Sequence, residues 1–317
     1  MISSVLQESG PLGMLTLLAG VIALPIAFFV PLVIGLFRWK VPASLGWAGV
    51  TFALLLGAGG TAYGVSLTHE AAAYAAPEQV QTLMAAGIAV SLYTSMIGYL
   101  FAGLGLFLAA WGTALPAPAK PGPKPRMDLR SLLFAVLGGF VGLITAIALV
   151  LGLIGPSAFF EGGPIAKLLP VLTLVGTTAM LIAAVRVASE DHAEQARMVG
   201  LRSSAAVAMA LGIGLIGLCG QLLGTSQAFR AVAVAPAESK SELLRYGLEV
   251  AAYVSTVGWS FALIPLFAGL ASAMPHLGRA NKWTAIGLVV AGFQVLLILA
   301  GMVYIGSASS SMWEGLL

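Results

Sequence analysis

The sequence predicts an all-α, polytopic membrane protein with eight transmembrane helices. Apolar residues make up 59% of the 317 residues and charged residues only 9%, whereas a soluble domain has roughly 25% charged residues. A helix needs about 20 apolar residues to cross a bilayer, and eight stretches of the chain meet that requirement. These spans are A 13–37, B 46–66, C 86–112, D 131–154, E 166–188, F 204–226, G 246–274 and H 283–306.

The basic residues predict the orientation of the spans, because cytoplasmic connections carry an excess of Lys and Arg. The proline-rich connector 115–126, between spans C and D, contains Lys120, Lys124 and Arg126. Basic residues also follow spans A, E and G, whereas most glutamates lie in the other connections. We therefore expect the connector inside the cell and both termini outside.

One helical pattern occurs twice in the chain. The residues from Gly87 to Phe107 recur from Gly247 to Phe267, 160 positions later, with Gly, Val, Tyr, Ser, Gly, Phe, Ala, Leu and Phe in the same order. Elsewhere in the chain, the number of positions between matching residues changes only across loops, which is typical of a true repeat. We predict a first repeat at 1–160 (spans A–D) and a second at 161–317 (spans E–H). Each contains an even number of spans, so the two repeats should be parallel.

Small residues line one face of the repeated helices. They are spaced by three and four positions, which places them on a common helical face, and such a stripe lets another backbone approach closely in a membrane. We predict helix packing at the glycines of spans B, C, F and G. These are Gly57, Gly60, Gly64, Gly87, Gly98, Gly217, Gly220, Gly224, Gly247 and Gly258.

The sequence offers little to conventional enzyme chemistry. No Asp, Glu, Lys, Arg or His lies at the centre of a predicted span, and His69, His192 and His276 fall in separate connections. We find no nucleotide-binding loop, no metal-ligand spacing and no sign of nucleic-acid binding. The sequence therefore predicts neither an enzyme nor a bound metal or other cofactor.

A few polar side chains lie at mid-membrane depth on the small-residue faces. Thr61 and Gln221 occupy equivalent positions of spans B and F, and Ser95 and Ser255 occupy equivalent positions of spans C and G. Inside a bilayer, such groups must find a hydrogen-bond partner or line a wet path.

The motifs around these residues resemble a known family. Span B reads Gly57-Ala58-Gly59-Gly60-Thr61-Ala62-Tyr63-Gly64, and span C reads Gly87-Ile88-Ala89-Val90-Ser91-Leu92-Tyr93-Thr94-Ser95-Met96-Ile97-Gly98. The pattern Gly-Leu-x-Gly-Thr-x-x-Gly, followed on the next span by Gly-Ile-x-x-x-Leu-x-x-Thr-x-x-Gly, is similar to that of the MotA/TolQ/ExbB proton-channel family. Residues 215–229 of span F are the closer match. The resemblance covers spans A–C and E–G.

The resemblance implies an inner-membrane component of a proton-driven, energy-transducing (stator-type) complex. In that family, a ring of subunits surrounds a TolR/ExbD/MotB-like single-span partner whose membrane aspartate carries the proton. It implies an oligomer embedded in membrane lipid, with Thr61, Ser95, Gln221 and Ser255 lining the pore or the partner. The chain departs from the family in two ways: a valine replaces the ExbB-type glutamate at 90 and 250, and the cytoplasmic domain between the first two spans is short.

Two other functions remain open from the sequence. The absence of acids inside the spans favours a non-conducting membrane scaffold or anchor for envelope proteins. A secondary transporter with 4+4 parallel repeats would need broken spans, and the only hints of these are Pro25, Pro31 and Pro265.

Overall fold

The computed structural model describes residues 10–37, 43–115, 128–155, 162–185 and 192–279. Within these ranges the chain is helical and contains no strand, and seven helices are long and apolar enough to cross a membrane. The protein is thus a multi-pass α-helical membrane protein. Predicted span H lies outside the described residues, so the eighth span and the side on which the termini lie stay predictions.

The seven helices follow predicted spans A to G in order. They are α1 Gly10–Phe37, α2 Ala48–Ala73, α3 Pro77–Ala114, α4 Leu129–Leu153, α5 Gly163–Val185, α6 His192–Val234 and α7 Lys240–Ala273. Short 3-10 helices lie at Ala43–Trp47, Ala237–Ser239 and Met274–Arg279. Helix α6 has 43 residues, many more than predicted span F, because the apolar stretch marks only the membrane-embedded part and the helix continues into polar sequence.

Helices α1 and α5 begin in the same way. Gly10 and Gly163 have φ values of 66° and 72°, a left-handed conformation that glycine adopts without steric cost. A proline follows each of them, at the start of a helix where its missing N–H removes no hydrogen bond. The two starts lie 153 positions apart, as the sequence repeat predicts for spans A and E.

The described bundle is organised around α3 and α6. In the most apolar stretch of each, 72% of the residues are buried, compared with 22% in α4. Helix α3 packs against α2 on one side and α6 on another, and α6 packs against α7, so that the order of neighbours is α2–α3–α6–α7. Helices α1, α4 and α5 lie around this series, and their exposed apolar side chains, such as Phe29, Phe140 and Leu174, suit contact with lipid.

Glycines bring the backbones of adjacent helices together. A Cβ added to Gly57 on α2 would lie 3.0 Å from the Cα of Gly98 on α3, and one added to Gly217 on α6 would lie 2.9 Å from the Cα of Gly258 on α7. Each of the ten glycines predicted to pack helices meets atoms of a neighbouring helix in this close way.

The glycine contacts of the two repeats correspond residue by residue. Gly60 meets Thr94 and Leu12, whereas Gly220 meets Val254 and Ile165. The first partner in each case is shifted by 160 positions and the second by 153. The correspondence supports the prediction of two similar repeats; the predicted boundary at position 160 falls between two described ranges, so the division itself stays a prediction.

Prolines do not interrupt the described helices. Helix α1 continues through Pro25 and Pro31, and α7 continues through Pro265. These three residues were the sequence's only hints of broken spans, and the helices that contain them are continuous.

Candidate functional site

Thr61 and Ser95, two of the predicted lining residues, meet between α2 and α3. Their hydroxyl oxygens lie 2.6 Å apart. The Thr61 hydroxyl also donates to the carbonyl of Ser91 at 2.8 Å, and the Ser95 hydroxyl lies 3.2 Å from the carbonyl of Gly57. Both side chains are buried, at 2% and 0% exposure. Their hydrogen bonds are therefore satisfied within the chain, beside the Gly57–Gly98 crossing.

The equivalent pair in the second repeat is arranged differently. The Ser255 hydroxyl donates to the carbonyl of Ala252 on its own helix at 3.0 Å, and no hydrogen bond joins it to Gln221 among the described residues. Gln221, which replaces the threonine, is partly exposed. Of the four predicted lining residues, Gln221 is the one whose side chain reaches the surface of the described bundle.

The chemistry available to these four side chains is limited. Hydroxyl and amide groups donate and accept hydrogen bonds but hold no charge at neutral pH. Among the described residues, no group of three His, Cys, Asp or Glu side chains could hold a metal ion. Of the described ionisable groups, Glu70 and Arg230 lie in the last two turns of α2 and α6, and Glu249 lies in the third turn of α7. Proton transfer along this part of the bundle would need either a titratable group from elsewhere or a continuous chain of water molecules.

A buried ionic cluster lies at the opposite end of the bundle from the predicted outer loops. Arg202 on α6 is 3% exposed. Its Nη1 donates to the Ser131 hydroxyl at 2.8 Å, to the Asp128 carboxylate at 3.4 Å and to the Ser272 carbonyl at 3.2 Å. Its Nη2 donates to the Ala184 carbonyl at 3.3 Å. One guanidinium thus joins α4, α5, α6 and α7.

Helix ends explain why these charges are stable there. Ala184 and Ser272 belong to the last turns of α5 and α7, where carbonyls lack partners within the helix and a cation is favoured. Asp128 is the N-cap of α4, and its carboxylate accepts the Ser131 N–H at 3.1 Å, which suits the positive end of a helix. The arginine and the aspartate therefore each compensate helix ends as well as each other.

His276, in the 3-10 helix after α7, completes the cluster. Its Nε2 lies 2.8 Å from Oδ2 of Asp128. Burial raises the pKa of Asp128, but the hydrogen bonds from Ser131 and His276 and the charge of Arg202 lower it by more. The pKa of the carboxyl group therefore lies below its ordinary value. The carboxylate therefore stays ionised at neutral pH and holds the start of α4 to the end of α7.

The sequence does not predict this cluster. Asp128 and Arg202 are 74 positions apart, and each reads as an ordinary charge beside a predicted cytoplasmic connection. His276 falls in a predicted connection separate from those of the other histidines, and its hydrogen-bond partner in the structure is the Asp128 carboxylate. The available signal was an aspartate three positions before a serine at the start of span D, a typical helix cap.

Comparison with known proteins assigns the chain to no family: no protein-family model, curated protein or solved structure matches it.

Proposed function

We propose that the protein is an inner-membrane component of a proton-driven, stator-type complex and works with a single-span partner that supplies the acid. One observation carries the proposal, namely the order α2–α3–α6–α7. The third helix of the first repeat, α3, packs against the second helix of the second repeat, α6. Such a head-to-tail contact places like units in series, as lining helices are arranged in the MotA/TolQ/ExbB family that the motifs resemble.

The contact between the repeats is as close as the contacts inside them. A Cβ added to Gly103 on α3 would lie 2.9 Å from the carbonyl oxygen of Gly212 on α6, and one added to Gly212 would lie 2.8 Å from that of Gly103. About four turns away along the same two helices, the Ser226 hydroxyl on α6 donates to the Ala89 carbonyl on α3 at 2.8 Å. The four helices thus form one continuous series, which supports a common role for both repeats.

The side chains suggest how the work is divided. The Thr61–Ser95 pair fastens α2 to α3, whereas Gln221, which is partly exposed on the described part of the bundle, would hydrogen-bond a carboxyl group of a partner helix. Positions 90 and 250, where ExbB-like members carry a glutamate, are valines in this chain. The proton carrier would therefore be the partner's carboxyl group, and this chain would hold and orient it.

Photo-cross-linking in native membranes tests the proposal. A benzophenone amino acid at Gln221 is expected to form an adduct with a single-span protein that has an acid in its span. The same amino acid at Leu174, which is 69% exposed on the peripheral helix α5, is the matched control and should yield lipid adducts only. Equal protein adducts from both positions, or none from Gln221, would contradict the proposal.

A non-conducting scaffold is the second candidate function. The satisfied hydroxyls of Thr61 and Ser95 favour it, because a pair closed by its own hydrogen bonds offers nothing to a moving proton. The two candidate functions differ in whether the partner needs its acid. If the cross-linked partner keeps its function after that acid is replaced by its amide, the scaffold is the better description.

A further inference from the structure

The face of α3 that receives α6 is defined by two residues. Around Gly212 of α6, the nearest atoms to an added Cβ are the carbonyl oxygen of Gly103, at 2.8 Å, and the backbone nitrogen of Phe107, at 2.9 Å. The equivalent residues of α7, 160 positions later, are Leu263 and Phe267. If the series α2–α3–α6–α7 continued, this face of α7 would receive a helix equivalent to α6 from another repeat.

Helix α4 covers that face of α7. A Cβ added to Gly142 would lie 2.8 Å from the carbonyl oxygen of Leu263, and one added to Gly138 would meet the carbonyl oxygen of Phe267. Gly138 and Gly142 therefore contact α7 at the positions equivalent to those at which Gly212 contacts α3. Helix α4, from the first repeat, occupies the position that a helix of a further repeat would take.

The composition of α4 suits a helix with a single docking face. Its buried residues form one narrow stripe of mostly small side chains, Ser131, Ala135, Gly142, Ala146 and Val150, and the other faces are apolar and exposed. The sequence predicts that span D lies on the outside because it lacks the repeated glycine stripe. Helix α4 does lie on the outside, but it has a small-residue stripe of its own.

The other end of the series is also unsuited to extension. The positions of α2 equivalent to Gly212 and Ile216 are Phe52 and Leu56. Phe52 is 58% exposed, and its ring stands where the α3–α6 contact requires a glycine. A bulky side chain there keeps a neighbouring backbone at a distance.

We propose that α4 is a cap that ends the series of repeats, so that whole chains do not associate through α7 of one copy and α2 of the next. The Asp128–Arg202–His276 cluster fastens the first turn of α4 to the end of α7 and keeps the cap in place. The face of α7 is then an occupied site rather than a surface for a second copy. This inference concerns assembly and stands independently of the proposed function.

Disulfide formation tests the cap directly. A Cβ added to Gly139 would lie 3.5 Å from the Cβ of Ala268, a separation that a disulfide bridges. In a Cys219→Ala background, oxidised membranes containing Gly139→Cys with Ala268→Cys are expected to lose both thiols to maleimide labelling after denaturation, at the mass of a single chain. Leu137→Cys with Ala268→Cys is the matched control, because Leu137 is 54% exposed on α4, and it should keep its thiols.

A second measurement tests the consequence for assembly. Two differently tagged chains are co-expressed, one with Phe52→Cys or Leu56→Cys and the other with Leu263→Cys or Phe267→Cys. The proposal predicts that no mixed dimer forms in any of the four pairings. A mixed dimer in any pairing, or failure of the 139–268 disulfide to form, overturns it.

Discussion

Gly217 on α6 and Gly258 on α7 meet backbone to backbone, since a Cβ added to Gly258 would lie 2.8 Å from the Cα of Gly217. Gly57 and Gly98 meet in the same way on α2 and α3, where the corresponding distance is 3.1 Å. Both contacts involve main-chain atoms, which cannot rotate away as a flexible side chain can. Helices α2 and α3, like helices α6 and α7, are therefore held so close that a methyl group at these glycines would crowd main-chain atoms of the neighbouring helix.

Alanine at these crossings should destabilise the protein. We expect Gly57→Ala and Gly217→Ala each to lower the free energy of unfolding by about 1–3 kcal/mol, because overpacking forces the backbones apart. Gly59→Ala is the matched control on α2, since nothing lies within 4 Å of its Cβ position. Thermal loss of the monodisperse peak in detergent measures the effect. A Gly59→Ala variant as unstable as Gly57→Ala would contradict the close crossing.

The hydroxyl pair between α2 and α3 should be energetically coupled. We expect Thr61→Val and Ser95→Ala each to cost about 1 kcal/mol, and the double variant to reveal a coupling of about 0.6 kcal/mol, the typical value for hydrogen bonds in membrane proteins. Ser255→Ala should be nearly neutral, because its hydroxyl bonds only its own helix. Additive effects of the two first-repeat substitutions would show that the hydroxyls act separately.

The charge of Asp128 should stabilise the bundle at neutral pH. Its pKa is lowered in the folded protein, so the stabilisation is fully present above the ordinary value of 3.8 and is lost as the pH falls through the lower, folded value. Asp128→Asn keeps the helix cap but removes the charge. We expect this variant to lose about 1–2 kcal/mol at pH 7, and the difference from wild type to shrink below the ordinary pKa. An equal difference at every pH would rule out the carboxylate charge as its source.

The helices and their glycine contacts could be predicted from the sequence because both depend on local periodicity. Spans A to G appear as helices in the predicted order, since a run of apolar residues long enough to cross a bilayer has no other way to satisfy its backbone. The Gly57–Gly98 crossing follows from small-residue stripes on two helices that are adjacent in the chain.

Contacts between distant elements could not be predicted in the same way. Nothing near Gly138 indicates that α4 crosses to α7, because that choice depends on how the two repeats pack. Likewise, Thr61 and Ser95 were expected to share a face with glycines, but their mutual hydrogen bond depends on the register of α2 against α3. Arg202 is a predicted loop charge, and it is buried because the start of α4 and the ends of α5 and α7 converge on α6.

Cysteine labelling tests the predicted orientation. The native thiol Cys219 is buried, so it should contribute little background. We expect Gly122→Cys, in the proline-rich connector, to react only from the cytoplasmic side, and Ala76→Cys, exposed between α2 and α3, to react from outside. Labelling of position 122 in intact cells by an impermeant maleimide would show that the predicted orientation is wrong.

Proton flux through the purified protein is the most direct test of the view that the acid comes from a partner. The described span centres of this chain carry no Asp, Glu, Lys, Arg or His, and the hydroxyls of Thr61 and Ser95 are satisfied by their own hydrogen bonds. Liposomes that contain the chain alone should therefore keep an imposed pH gradient as long as protein-free liposomes do. Rapid collapse of the gradient in the presence of the chain alone would contradict this view and identify an autonomous proton pathway.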